Sequence, residues 1–191
     1  MRRIIILFKE LPEFVWQSVL GSIRNNDSKI ATFLRSKIYK TDCRLDINVI
    51  IKNRDNFKSG LNSVLYNSCY IMNTNGQFII GNNSHLGAFC FVNVCYGKIT
   101  IGNNVAIGPG TKIFAYSNHY RQGKNVTEEY ITSNVSIGNN VFIGANCSIL
   151  PGTRINDNIV IGAGSVVKGE LDSNSIYAGS PSKKIKDSWF L

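Results

Sequence analysis

A chain of 191 residues, 43% hydrophobic and 17% charged, is sized for one domain with small appendages and composed like a soluble globular protein. No apolar run approaches the roughly 20 residues that span a bilayer, which disfavours a membrane-spanning protein. The net charge of +9 suits an anionic cofactor or an anionic membrane face; no basic run is interleaved with stacking aromatics, which argues against nucleic acid.

Residues 1–40 carry no obvious repeat. Leu11, Phe14, Val15, Val19 and Leu20 fall at helical spacing, as do Ile30, Phe33, Leu34, Lys37 and Ile38. The spacing predicts two short helices that cap the open end of the repetitive region beyond them. A second reading of this region is a peripheral membrane contact through Arg2, Arg3 and the apolar stretch Ile4–Phe8. That stretch is too short for a signal-peptide core, so the expected location is cytoplasmic, with the inner face of the membrane as a variant. Residues 41–64 read as irregular first coils with loops.

From there an aliphatic residue recurs every six positions. Leu65 and Ile71 open the series; Ile80, Leu86 and Val92 continue it after a step of nine, and Ile101, Ile107 and Ile113 after another. Ile137, Ile143, Ile149, Ile155, Ile161 and Val167 complete it, with Gly at 138, 144 and 162. A period of six is neither the 3.6 of a helix nor the 2 of a lone strand; it is one short strand plus one turn of a parallel β-helix. The fold expected is all-β, a triangular prism whose aliphatics stack inward and whose Gly and Asn turn the corners. A β-sandwich would place turns every 8–12 residues and does not give a fixed six. The division expected is a cap with irregular first coils over 1–60, the β-helix over 61–170 with a protruding loop at 114–136, and a tail over 171–191.

The five cysteines lack metal-ligand or CxxC spacing, and several fall at strand positions, so they read as small buried hydrophobes in a reducing compartment. His85 lies in a hexad turn and reads as a solvated corner residue. His119 lies on the long excursion, in FAYSNHYRQGKN, among polar and aromatic neighbours. A neutral imidazole there suits a general base toward a hydroxyl or amine. Glu128 and Glu129 follow in the same loop, and either can hold the second imidazole N–H; Glu128 with His119 is the candidate catalytic pair. Two histidines fall short of a three-histidine metal site, so no metal is expected.

IGNN, IGPG and IGAN hexads, the His-bearing loop after Ile113, IGAGSVVK at 161–168 and AGSPSKKIK at 178–186 together resemble the hexapeptide-repeat acyltransferases. The branch they resemble is the sugar and surface-polysaccharide O-acetyltransferases related to the maltose and galactoside enzymes. The resemblance covers residues about 61–187. It implies a left-handed coil, a homotrimer with active sites in clefts between neighbouring prisms, and acetyl-CoA as acyl donor lying along the cleft. It makes His119 the catalytic base and puts Ala145 and Ala163 against the pantetheine arm. It also puts Lys168 beside the cofactor at the last coil, and Lys183 and Lys186 near the nucleotide phosphates. Asn93 resembles the acceptor-side Asn of those enzymes, but the Asp that usually follows is missing and Tyr96 and Gly97 stand in the shorter connection, so the acceptor differs.

The function expected is acetyl transfer from acetyl-CoA to a sugar hydroxyl of a capsule, O-antigen or exopolysaccharide. N-acetylation of an amino sugar on a nucleotide carrier is the alternative within the class. A non-catalytic β-helix scaffold is the alternative outside it.

Overall fold

The computed structural model describes residues 13–187. Both expected helices are present, α1 (Glu13–Arg24) and α2 (Lys29–Ile38). The membrane contact expected at Arg2, Arg3 and Ile4–Phe8 lies outside the described residues. Among the described residues no helix is long and apolar enough to cross a membrane.

The inner face of α2 is not the one that its apolar spacing suggests. Ile30 and Phe33 are exposed, whereas Ala31 and Arg35 are buried. The reason is hydrogen bonding. Arg35 donates from Nε to Leu45 O (2.8 Å), from Nη1 to Ile23 O and Asn26 O (2.7 Å each), and from Nη2 to Thr32 Oγ1 (2.9 Å). One guanidinium thus ties the end of α1, the start of α2 and the first coil together, and burial pushes its pKa down. Ser28 caps α2 by accepting from Ala31 N at 3.2 Å.

Six coils come next. Coil 1 is β1 (Arg44–Leu45), β2 (Ile50–Ile51) and β3 (Phe57–Ser59); coil 2 is β4 (Val64–Leu65), β5 (Tyr70–Met72) and β6 (Gln77–Ile80). Coil 3 is β7 (His85–Leu86), β8 (Phe91–Asn93) and β9 (Lys98–Ile101). Coil 4 starts with β10 (Ala106–Ile107) and β11 (Lys112–Phe114), leaves the prism through β12 (Tyr116–Asn118) and β13 (Tyr130–Thr132), and closes with β14 (Val135–Ile137). Coil 5 is β15 (Val141–Ile143), β16 (Ser148–Ile149) and β17 (Arg154–Ile155); coil 6 is β18 (Ile159–Ile161), β19 (Val166–Val167) and β20 (Glu170–Leu171). β21 (Ser175–Ala178) adds one more parallel strand, and β22 (Lys183–Lys186) folds back antiparallel on it.

The first, second and third strands of successive coils pair in parallel and build three sheets, here A, B and C. This is a left-handed parallel β-helix. Its parallel pairing runs from Arg44 to Tyr177, so the degenerate stretch before residue 61 is in register with the rest. The inward residues form unbroken columns, Leu65–Leu86–Ile107–Ile143–Ile161 on sheet A and Ile71–Val92–Ile113–Ile149–Val167 on sheet B, all fully buried. Each such side chain contributes about 1.5–3 kcal/mol by leaving water.

Two corners are closed by ladders. At the corner from sheet C to sheet A every coil places an Asn at positive φ: Asn62, Asn83, Asn104, Asn140, Asn158 and Asn174, at 53–58°. Asn140 donates to Asn158 Oδ1 at 2.8 Å and Asn158 to Asn174 Oδ1 at 3.0 Å. The preceding residues form a second ladder from backbone to side chain, Asn82 N to Asn103 Oδ1 (2.8 Å), Asn103 N to Asn139 Oδ1 (2.9 Å) and Asn139 N to Asp157 Oδ1 (2.6 Å). At the corner from A to B, Cys69, Cys90, Thr111 and Cys147 donate to the carbonyls of Gly87, Gly108, Gly144 and Gly162 at 3.1–3.3 Å. The thiols take the place of Thr111's hydroxyl, and burial pushes that of Cys147 up in pKa. The coils approach so closely here that a Cβ on Gly108 would lie 2.5 Å from Ala145 N.

The corner from B to C is different. From Ile71 to Ile80 and from Val92 to Ile101 are nine residues, and from Ile113 to Ile137 twenty-four, where Ile149 to Ile155 takes six. The insertions of coils 2 to 4 therefore leave the prism along one edge.

Replacing Asn140 by Val forces a β-branched residue to hold φ of +55° and removes a ladder bond. The expected loss is about 1–2 kcal/mol or more in a urea titration, with Asn140→Gly losing less than half as much.

Candidate active site

β12 and β13 form a two-stranded antiparallel arm in the register Tyr116↔Thr132, Ser117↔Ile131 and Asn118↔Tyr130. One step beyond, His119 N donates to Glu129 O at 2.9 Å, so the pairing geometry places His119 against Glu129. His119 Nδ1 lies 3.3 Å from Glu129 Oε2. Arg121 also donates to that oxygen, from Nε at 2.8 Å and Nη2 at 2.5 Å. Asn118 is fixed on both sides, donating to Val126 O and accepting from the Tyr116 hydroxyl, each at 2.9 Å.

The carboxylate that holds His119 is Glu129, which corrects the choice of Glu128. Glu128 accepts from Asn125 Nδ2 at 2.6 Å and lies 4.0 Å from Lys124 Nζ, on the exposed side of the turn. Glu128 is still in the turn, whereas Glu129 stands where the chain returns opposite His119. With Nδ1 protonated toward Glu129, Nε2 carries a lone pair directed outward, the state a general base requires. Arg121, not among the expected residues, holds the carboxylate in place.

The arm rests on the insert of coil 3. Ala115 N donates to Asn93 O at 2.9 Å, and Gly97 packs where a Cβ would lie 2.7 Å from the Thr132 side chain. Tyr96 stacks on Tyr130 with ring centroids 5.8 Å apart, and Tyr116 tilts against Tyr130 at 5.5 Å. The Tyr96 phenol, chiefly by charge repulsion, pushes the Tyr130 pKa up. Asn93 sits in the outward row of sheet B between Met72 and Phe114. Its Oδ1 is the one buried side-chain polar atom among the described residues without a hydrogen-bond partner. Asn93 and Tyr96 are thus both brought to the foot of the arm that carries His119.

The remaining candidates lie elsewhere. Ala145 and Ala163 stack at the corner from A to B, across the width of sheet B from the arm. Among the described residues nothing accepts the N–H of either one. Ala145 borders an apolar groove lined by Tyr66, His85, Pro109 and Phe142. His85 is not the solvated corner residue expected: it lies in β7, half-buried, edge-on to Tyr66 with centroids 5.6 Å apart, and burial pushes its pKa down. Lys168 is exposed at the end of β19, on the same edge as the arm. Lys183 and Lys186 project from β22 without ion-pair partners among the described residues, whereas Lys184 between them is held by Asp187 (2.6 Å) and Asp172 (3.5 Å). A single copy therefore separates the His119 arm from the Ala145–Ala163 rail.

Residues 134–169 match the profile described as bacterial transferase hexapeptide, six repeats. Over 55 residues the chain is 47% identical to WbbJ of Escherichia coli (strain K12), provisionally named a lipopolysaccharide biosynthesis O-acetyl transferase, covering 29% of this chain and 28% of that one. A maltose O-acetyltransferase from Clostridium difficile 630 superposes with a TM-score of 0.64 and 25% identity over 95% of this chain and 88% of its own. A mutant of AntD, an N-acyltransferase from Bacillus cereus in complex with dTDP and coenzyme A, shares the fold with a TM-score of 0.70 at 24% identity, over 77% of this chain and 82% of that one. Residues 134–169 thus carry the hexapeptide repeat of bacterial transferases, and the chain as a whole shares the fold of the solved acyltransferases. It spans less than half the length of the curated relatives it matches.

Removing the carboxylate in Glu129→Ala should shift the neutral imidazole of His119 away from the Nδ1–H tautomer, read from its ¹⁵N chemical shifts. Glu128→Ala should leave those shifts unchanged.

Proposed function

We propose that this protein is an acetyl-CoA-dependent O-acetyltransferase that modifies a sugar hydroxyl of a bacterial surface polysaccharide, such as a capsule, O-antigen or exopolysaccharide, or its precursor. The observation that carries this reading is His119, with Nδ1 held by Glu129 and Nε2 left open on an arm beside Asn93. The O-acetyl transfer named for WbbJ and for the maltose enzyme supports the reaction class.

The residues fit the donor. Coenzyme A supplies an activated thioester on a long polar arm with several phosphate charges. The unpaired N–H groups of Ala145 and Ala163 suit the amides of such an arm, and the groove at Tyr66 and Phe142 suits its apolar stretches. Lys183 and Lys186, exposed and unpaired among the described residues, suit the phosphates, and Lys168 is placed to meet the donor at the last coil. In the reaction His119 Nε2 takes the proton of the acceptor hydroxyl. The acceptor oxygen forms a bond to the thioester carbonyl carbon, and backbone N–H groups hold the negative charge on the carbonyl oxygen. The carbon–sulfur bond then breaks, and His119 returns the proton to the departing sulfur. No covalent enzyme intermediate is required. An amine acceptor would run through the same steps.

Because the arm and the Ala145–Ala163 rail stand on different edges of one prism, the reading requires a neighbouring copy to bring them together, as in a trimer. Light scattering at micromolar concentration should give three times the chain mass; a monomer would leave the site incomplete. His119→Ala should keep the fold and lower acetyl transfer by at least about 100-fold in a thiol-release assay. Turnover near that of the parent protein would remove His119 from the mechanism.

Replacing both Lys183 and Lys186 by Gln should raise the KM for acetyl-CoA several-fold and weaken its salt dependence, with little change in kcat, since these contacts are the same in ground and transition states. Lys184→Gln should have a smaller effect, because its charge is already engaged by two carboxylates.

A further inference from the structure

Three tyrosines join the two insertions at the foot of the arm. Tyr96 comes from the coil 3 insert, and Tyr116 and Tyr130 from the paired strands of the arm. Tyr96 and Tyr130 are nearly parallel, with an interplanar angle of 14°. A stack of this kind braces the arm, but bracing does not account for its exposure. Tyr96 keeps 58% and Tyr130 52% of its surface in water, so each ring still presents a free face. Large aromatic faces left wet contribute nothing by burial within the chain and mark a surface built for something else.

The surroundings narrow what that is. Tyr130 directly follows Glu129, the carboxylate that holds His119. The Tyr116 hydroxyl bonds Asn118, the residue before His119. A flat apolar surface beside a general base matches one chemical class well: a pyranose ring. The C–H face of the sugar packs on an aromatic ring, and its equatorial hydroxyls remain in plane to meet polar partners.

We propose that Tyr96 and Tyr130 form the platform on which the acceptor sugar ring stacks, with the reacting hydroxyl turned toward His119 Nε2. Tyr96 and Tyr130 are then specificity residues, and Tyr116 a positioning residue that acts through Asn118. The role given to His119 rests on the acyl-transfer reading above; the platform itself is testable without it.

The test uses the full chain and saturation-transfer NMR with methyl glucoside, methyl galactoside and methyl N-acetylglucosaminide, beside calorimetric titration with CoA. At least one glycoside should show saturation concentrated on the ring protons of a single face. Tyr96→Ala and Tyr130→Ala should weaken its binding about threefold to tenfold, while Tyr96→Phe and Tyr130→Phe retain it, since the ring and not the hydroxyl makes the contact. CoA affinity should be unchanged in all four variants. In the transferase assay the same Ala variants should raise KM for the acceptor more than they lower kcat. Saturation equal in Tyr96→Ala and the parent protein would overturn the proposal, as would saturation of none of the three glycosides. A loss confined to kcat would overturn it too, because it would make the rings a brace for Glu129 alone. Failure to bind CoA would overturn the acyl-transfer reading instead, leaving the glycoside signals to decide the platform.

Discussion

The chain turns from sheet C into sheet A six times through an asparagine held at positive φ. A left-handed backbone residue is costly for most side chains, and it is tolerated here because the short amide bonds the same residue of the next coil. The coil hand, the spacing of sheets and the alignment of the inward columns all depend on that repeated corner. A strand–crossover–strand connection ordinarily winds right-handed; an αL residue in every coil accompanies the opposite winding. Phe89, at φ 61° and largely exposed, is the costliest departure, a bulky ring in a conformation that Ser68 and Gly110 occupy in the neighbouring coils.

With two corners closed by hydrogen-bonded ladders, extra residues have one way out. The edge from B to C carries every insertion of coils 2 to 4, and the candidate chemistry is on those insertions. Tyr96 belongs to one, with Asn93 at its foot at the end of β8, and His119, Arg121, Glu129 and Tyr130 belong to the next. The rigid prism thus sets the height of each group along its axis, and the loops set only how far each reaches outward. The smooth corner from A to B, where glycines let the coils touch, keeps its alanine N–H groups open in a straight rail.

The prism was legible in the sequence because its period is short and strict: one aliphatic in six, with the phase kept across the arm from Ile113 to Ile137. The steps of nine at Ile80 and Ile101 were legible too, as displaced phase, but not as features of one shared edge, which needs the three-dimensional stacking. His119 could be singled out by its place on the one long excursion. Its partner could not, since choosing Glu129 over Glu128 depends on the pairing register of β12 and β13, and no hydrophobic alternation fixes that register in an exposed arm. The inner face of α2 is hidden from the sequence for a related reason. Periodicity counts apolar residues, and it has no means of seeing that Arg35 finds three carbonyls and a hydroxyl waiting for it.

The cysteines have a practical consequence. Cys43, Cys69, Cys90 and Cys147 are buried, three of them bonded to corner carbonyls, and burial pushes the thiol of Cys43 up to about 11. Cys95 alone is partly open, in the insert between Val94 and Tyr96. A thiol-reactive dye should therefore attach at one place without any engineering of the chain, and that place is beside the aromatic stack. The molecule carries its own attachment point for an optical reporter of how its arm moves.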